Sequence, residues 1–171
     1  MRVLHTSDWH LGHHLYGISR EYEHEHFLTW LLDTLEGEEA DALIVAGDIF
    51  DSANPPAAAL AAFYCFIADA RRRMPRLDIV VVAGNHDSPQ RLEAPGPLME
   101  AIGVHVVGTV NRKADGTIDT NALIFPLHDR GGEVKAWCVA VPFLRPSDLP
   151  PITTEESASD PLIEEIGRAH V

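Results

Sequence analysis

Four side chains with metal-binding chemistry stand just beyond three short apolar runs. Asp8 and His10 follow Val3-Leu4-His5-Thr6, Asp48 follows Ala42-Leu43-Ile44-Val45-Ala46-Gly47, and Asn85 follows Asp78-Ile79-Val80-Val81-Val82-Ala83-Gly84. Two carboxylates, an imidazole and an amide oxygen suit Mn²⁺, Fe²⁺ or Zn²⁺ better than a metal that prefers thiolates. Asp8 and His10 are two apart, so on an extended segment they point the same way. Gly47 and Gly84 stand just before ligands, where a sharp turn or a close backbone approach is needed. Asp51, His86 and Asp87 add two more carboxylates and a second imidazole. Each fragment alone is a common pattern, and Asp or Asn at a strand end often only caps a turn. Three such fragments at successive strand ends predict a metal-dependent site on one edge of a sheet, beyond the strands' carboxyl ends.

The elements that must position these groups are legible from periodicity. Residues 11–19 read as a loop rich in glycine and histidine. A helix is expected over 20–35, with Phe27, Leu28, Leu31, Leu32 and Leu35 as its apolar stripe and Gly37 as a stop. Asn54-Pro55-Pro56 reads as the start of a second helix over 57–73, which Arg71-Arg72-Arg73 and Met74-Pro75 end. Leu60, Tyr64 and Ile67 share one face of it, and Phe63 and Phe66 widen the apolar surface. That width fits either a helix buried on two sides or a dimer surface carrying Phe63 and Phe66. A short helix over 97–102 and a strand over 104–107 follow. Strands over 122–125 and 135–141 then pair as a hairpin through 128–132. The expected class is α/β, in the order β-α-β-α-β followed by antiparallel strands.

The bulk composition narrows the function. A net charge of −13 argues against a protein that holds nucleic acid by a basic surface. It leaves room for a nucleic-acid enzyme whose bound metal ions meet the phosphate. No apolar run approaches a membrane span, and a strand at residue 3 leaves no room for a signal peptide. Cys65 and Cys138 sit in apolar contexts and read as buried thiols, so a cytoplasmic protein is expected. Residues 1–150 read as one domain and 151–164 as an acidic, linker-like tail. Residues 165–171, Glu-Ile-Gly-Arg-Ala-His-Val, read as a translated library adaptor and take no part in fold reasoning.

Ser7-Asp8-Trp9-His10, Gly47-Asp48-Ile49-Phe50-Asp51 and Gly84-Asn85-His86-Asp87 resemble the first three motifs of the calcineurin-like metallophosphoesterases. Within that family the likeness narrows to the Mre-type repair nucleases of bacterial SbcC–SbcD complexes. It rests on Leu4-His5-Thr6-Ser7-Asp8-Trp9-His10-Leu11-Gly12, on Ser19-Arg20-Glu21 with Glu23-His24, and on Pro142-Phe143-Leu144-Arg145-Pro146, and it covers residues 1–149. The resemblance implies the N-terminal part of a β-sandwich flanked by helices. It also implies a centre of two divalent ions, usually Mn²⁺, that hydrolyses DNA phosphodiesters. Asp8 and His10 would hold one ion, Asp48 would bridge both, and Asn85 would bind the second. His86 would protonate the leaving oxygen or stabilise the transition state, with Asp51 orienting it. DNA, an SbcC-type ATPase and a second copy of the chain are the implied partners.

The family completes its site, downstream of the third motif, with a histidine after a glycine and two more in a G-H-x-H motif, and neither pattern occurs in this chain after Asp87. His105 and His128 lie outside such contexts and read as strand or turn residues. With part of each ion's ligand set, the chain is expected to bind metal weakly and to catalyse poorly, if at all, when alone. Two other functions stay in view: a metallophosphoesterase acting on nucleotides or phosphoproteins, and a non-catalytic dimerisation or partner-binding module. Leu11 directly after His10 and the Ser19-Arg20-Glu21 segment favour the nuclease. His13 and His14 are candidates for touching substrate or for solvated loop positions. His24 and His26 read as exposed, His5 as packed within its strand, Asp87 as a turn residue, and Trp9 as a cleft wall or a core residue.

Overall fold

The structure is a computed structural model that describes residues 1–148. The tail readings for residues 151–171 lie outside the described residues.

Strand β1, Val3–Thr6, is followed by a small hairpin of β2 His14–Leu15 with β3 Ile18–Ser19. Three further strands, β4 Ala42–Ala46, β5 Asp78–Val82 and β6 Val104–Val107, join β1 in a parallel central sheet of order β1-β4-β5-β6. Register is in phase across it, with Val3 beside Ala42, Ala42 beside Asp78 and Ile79 beside Val104. The β-branched runs have no polar alternation because β4 and β5 are covered on both faces. Leu43, Val45, Ile79 and Val81 point into one core, while Ala42, Val80 and Val82 point into another.

The first core lies under the helices. α1 Glu21–Gly37 and α2 Ala57–Arg73 bury Leu28, Leu31, Leu32 and Leu35 with Ala59, Phe63, Phe66, Ile67 and Ala70. Both helices begin without a side-chain cap, so packing of these stripes holds them. Two short helices, α3 Pro89–Glu93 and α4 Gly96–Ala101, add Leu92 and Met99 to the same core. The second core lies under an antiparallel hairpin of β7 Ile124–His128 and β8 Val134–Val139, which contributes Leu127. The architecture is therefore helices, parallel sheet, then a second small sheet.

Several sequence expectations change in three dimensions. The loop over 11–19 contains the β2–β3 hairpin. Helix α3 was not expected, and His128 belongs to β7 rather than to the turn. Phe63 and Phe66 are 0% and 2% exposed, packed in the core against Trp9, so they form no dimer surface. The broad apolar face of α2 exists because it meets both the sheet and α1. Cys65 is exposed, because it lies off the buried Ala59–Phe63–Phe66–Ile67–Ala70 stripe, and Cys138 is half-buried. His5 is exposed as well: β1 is an edge strand, and the β7–β8 layer does not reach across it.

Candidate metal centre

The three motif loops leave the sheet side by side and are stitched together by their backbones. The Asp8 N–H donates to the Gly47 carbonyl at 3.1 Å, and the His10 N–H to that of Asp48 at 2.9 Å. Leu11 N–H reaches the Ile49 carbonyl at 2.9 Å, and Asp51 N–H returns to the Leu11 carbonyl at 3.2 Å. The third loop joins through side chains. The Asp48 carboxylate accepts the His86 backbone N–H at 3.0 Å. Asp87, 1% exposed, accepts N–H bonds from Gly84, Ile49 and Phe50 at 2.8, 3.2 and 2.9 Å. A buried carboxylate is stable there because three donors surround it.

Two glycines make this crossing possible. A Cβ on Gly84 would lie 2.1 Å from Asp48 Oδ1 and 2.3 Å from the Asp48 nitrogen. Gly47, at φ +89°, would meet the Gly84 Cα at 3.0 Å if it carried a side chain. The ligands themselves hold unusual backbone: Asp8, His10 and Asp48 all adopt positive φ, at 58°, 46° and 50°. Left-handed backbone costs a non-glycine residue roughly 1–2 kcal/mol, and such strain concentrates at functional sites. Three of the four expected ligands carry it.

Donor atoms of His10, Asp48 and His86 lie within 4.8 Å of one another. His10 Nε2 stands 3.9 Å from Asp8 Oδ1 and 3.8 Å from Asp48 Oδ2. These gaps are too long for hydrogen bonds and suit two bonds of about 2.1 Å meeting on one ion. Asp8, Asp48 and Asn85 line one cavity of about 390 Å³, with Gly47, Gly84 and Phe143 on its walls. The donor set fits divalent ions: converging carboxylates repel unless a cation sits among them, and the imidazole and amide complete a hard-to-borderline set.

The second imidazole is oriented differently from the sequence expectation. His86 Nδ1 donates to the backbone carbonyl of Asp51 at 2.8 Å. A carbonyl can only accept, so the proton is on Nδ1 and Nε2 faces outward. That carbonyl, and after it the carboxylates of Asp48, Asp51 and Asp87, push the His86 pKa up from its ordinary value. The Asp51 carboxylate turns the other way. It accepts from His13 Nδ1 at 2.8 Å and faces His10 Nδ1 at 3.5 Å, a buried nitrogen with no hydrogen-bond partner among the described residues. Asp51 thus orients His86 through its carbonyl, because its own N–H is pinned to the first loop.

The remaining histidines divide. His13 reaches the site through Asp51, whereas His14 is exposed and lines a separate groove between α1 and α2. His24 is half-buried rather than exposed, and burial, then Arg20, lower its pKa. Trp9 is a core residue, edge-on to Phe27, Phe63 and Phe66. Sequence reasoning missed the joining role of Asp87, and it missed Arg145, whose guanidinium donates to the Asp87 carbonyl at 2.8 Å. The Pro142-Phe143-Leu144-Arg145-Pro146 segment was the available signal for Arg145.

A parallel sheet that gathers carboxylate, imidazole and amide ligands at its carboxyl edge, backed by a second sheet, defines a metallophosphoesterase. Residues 1–161 match the calcineurin-like phosphoesterase family, and the chain belongs to it. That family implies divalent metal ions at this edge. Among curated proteins the chain is similar to the SbcD subunit of the nuclease SbcCD from Rhodobacter capsulatus, 49% identical over 150 residues, 88% of this chain and 37% of the relative. The protein of the same name from Escherichia coli K12 is 40% identical over 149 residues, 87% of this chain and 34% of the relative. That from Bacillus subtilis is 47% identical over 108 residues, 63% and 27% of the two chains. The chain spans about a third of the length of the first two relatives. Among the described residues, no helix is long and apolar enough to cross a membrane.

Proposed function

We propose that this chain is part of the catalytic module of an SbcD-type nuclease, hydrolysing DNA phosphodiesters. The convergence of Asp8, His10, Asp48 and Asn85 on one sheet edge, in a chain 49% identical to a nuclease of that kind, supports this reading. Asp8, His10, Asp48 and Asn85 would hold the divalent ions, with Asp48 shared between them and Mn²⁺ the expected metal. Bound there, the ions supply the positive charge that steadies the phosphate oxygens as negative charge develops. His86, fixed at Nδ1 by the Asp51 carbonyl, would give up the Nε2 proton of its imidazolium form, which its raised pKa favours, to the leaving oxygen and remain as the Nδ1–H imidazole. Asp51 holds this imidazole and, through its carboxylate, His13, which would be the substrate-contacting histidine of the loop. His14 stands away from the cavity and is assigned no such part.

Titration of the chain with Mn²⁺ by calorimetry tests the metal reading. Saturable binding that Asp48→Asn removes is expected, and no heat of binding would overturn it. With Mn²⁺ supplied, the incomplete ligand set is expected to leave turnover low, and such turnover as there is should favour linear duplex DNA over p-nitrophenyl phosphate. Faster turnover of the monoester would favour a phosphatase acting on nucleotides or phosphoproteins.

An SbcC-type ATPase partner, a cytoplasmic location and a homodimer belong to the same proposal. The self-association surface moves from α2 to side chains that are open: Tyr16, Ile18, Tyr22 and Trp30 on the β2–β3 hairpin and α1. Sedimentation should show a dimer that Trp30→Glu weakens; a monomer at every concentration rejects it.

A further inference from the structure

The turn that presents Asn85 and His86 has no helix or strand of its own, and two groups hold it from opposite sides. From inside, the Asp87 carboxylate gathers the N–H groups of Gly84, Ile49 and Phe50. From outside, Arg145 Nη2 donates to the Asp87 carbonyl at 2.8 Å and to the Gly84 carbonyl at 3.4 Å. These two carbonyls bracket Asn85 and His86. The segment carrying Arg145 is itself anchored. Phe143 N–H donates to the Ala83 carbonyl at 2.9 Å, and Arg145 N–H to Asp148 Oδ2 at 2.7 Å. The guanidinium also lies over the Phe143 ring, 5.7 Å from its centre, and Phe143 lines the metal cavity.

Packing alone does not explain an arginine at this position. Its Nη1 is buried with no hydrogen-bond partner among the described residues, which a neutral side chain of similar length would avoid. What the guanidinium supplies is a permanently charged, planar group whose single Nη2 nitrogen has two hydrogens to share between the two carbonyls.

We propose that Arg145 is a positioning residue of the metal centre. By bridging the carbonyls of Gly84 and Asp87 it fixes the turn that aims Asn85 and His86, and so sets how tightly the site holds its ions. The affinity half of this statement rests on the metal reading above, whereas the holding of the turn does not.

The test uses the full chain with Arg145→Gln and Arg145→Lys, read in two ways. In metal-free protein, amide hydrogen exchange at Gly84 and His86 is expected to quicken about tenfold in Arg145→Gln, while Val45 and Val80 at the sheet centre stay unchanged. Arg145→Lys should restore part of the protection, since an ammonium can still reach one carbonyl. In calorimetric titration with Mn²⁺, Arg145→Gln should weaken binding by at least about tenfold, with Arg145→Lys intermediate. Unchanged exchange at Gly84 and His86 overturns the proposal, and so does equal acceleration at Val80, which marks a general loss of stability. Unaltered Mn²⁺ affinity beside quickened exchange overturns the affinity half. Absence of Mn²⁺ binding in the unsubstituted chain overturns the metal reading and that half with it, and the exchange arm still decides whether Arg145 holds the turn.

Discussion

Asp48 is the residue on which the site turns, and its neighbours have been cut to fit it. Its carboxylate anchors the His86 backbone while facing His10, and its backbone sits at positive φ against a glycine. Gly84→Ala would place a methyl within bonding distance of that carboxylate. The expected result is a loss of about 1–3 kcal/mol in urea unfolding, together with weaker Mn²⁺ binding. A variant as stable as the parent would mean that Asp48 moves freely. Asp87→Asn makes a different prediction. It keeps the shape but replaces a charged acceptor of three N–H groups with an amide that can accept on one oxygen only. Stability should fall by about 1–3 kcal/mol, read from the shift in urea midpoint. The gathering of Asp8, His10, Asp48 and Asn85 at one sheet edge was open to sequence reading because residue type and strand-end position are local facts. The route by which Asp51 holds His86 was not, because a carbonyl and a carboxylate on one residue can face different partners, and only the packed loops decide which.

At the scale of elements, α2 shows how one apolar surface supports two readings. Phe63 and Phe66 were compatible with an exposed dimer face until α1 and the sheet were seen to cover them. Phe63→Ala is therefore expected to cost about 3–5 kcal/mol of folding stability by leaving a core cavity. Chemical denaturation measures it; a stable variant with altered oligomeric state would restore the dimer reading. The second sheet offers a pH test. His105 on β6 stacks on Phe125 of β7 with ring centroids 4.2 Å apart, and burial lowers its pKa from 6.5. The neutral ring is thus the form that the fold accommodates. Its contribution is complete above pH 6.5, where folded and unfolded chains are both neutral. It is lost as pH falls, because the unfolded chain takes up the proton first. His105→Phe should flatten the fall in melting temperature below pH 6.5, and an unchanged slope would assign that fall to other groups. Strand positions were legible because β-branched runs bounded by turn residues need no long-range information. The β2–β3 hairpin and α3 were not, since segments so short are stabilised by what they lie against.

For the whole molecule, the proposed metal centre would couple ion binding to folding. Ligands from three separate loops meet only in the folded chain, so an ion that binds them stabilises it by mass action. Mn²⁺ at about 100 times its dissociation constant should add about 2.7 kcal/mol, seen as a rise in melting temperature that a chelator reverses. No rise at saturating Mn²⁺ would separate this edge from metal binding. The sequence by itself determined the α/β class, the three strand ends that carry carboxylate, imidazole and amide groups, and the need for glycine at residues 47 and 84. Each follows from side-chain chemistry and local periodicity, which a chain carries wherever it is placed. Only the tertiary structure decided that Asp87 and Arg145 grip the third loop, that His14 turns away from the cavity, and that Phe63 and Phe66 are core. Those outcomes depend on contacts between segments far apart in sequence, and their partners are chosen by packing rather than by neighbours along the chain.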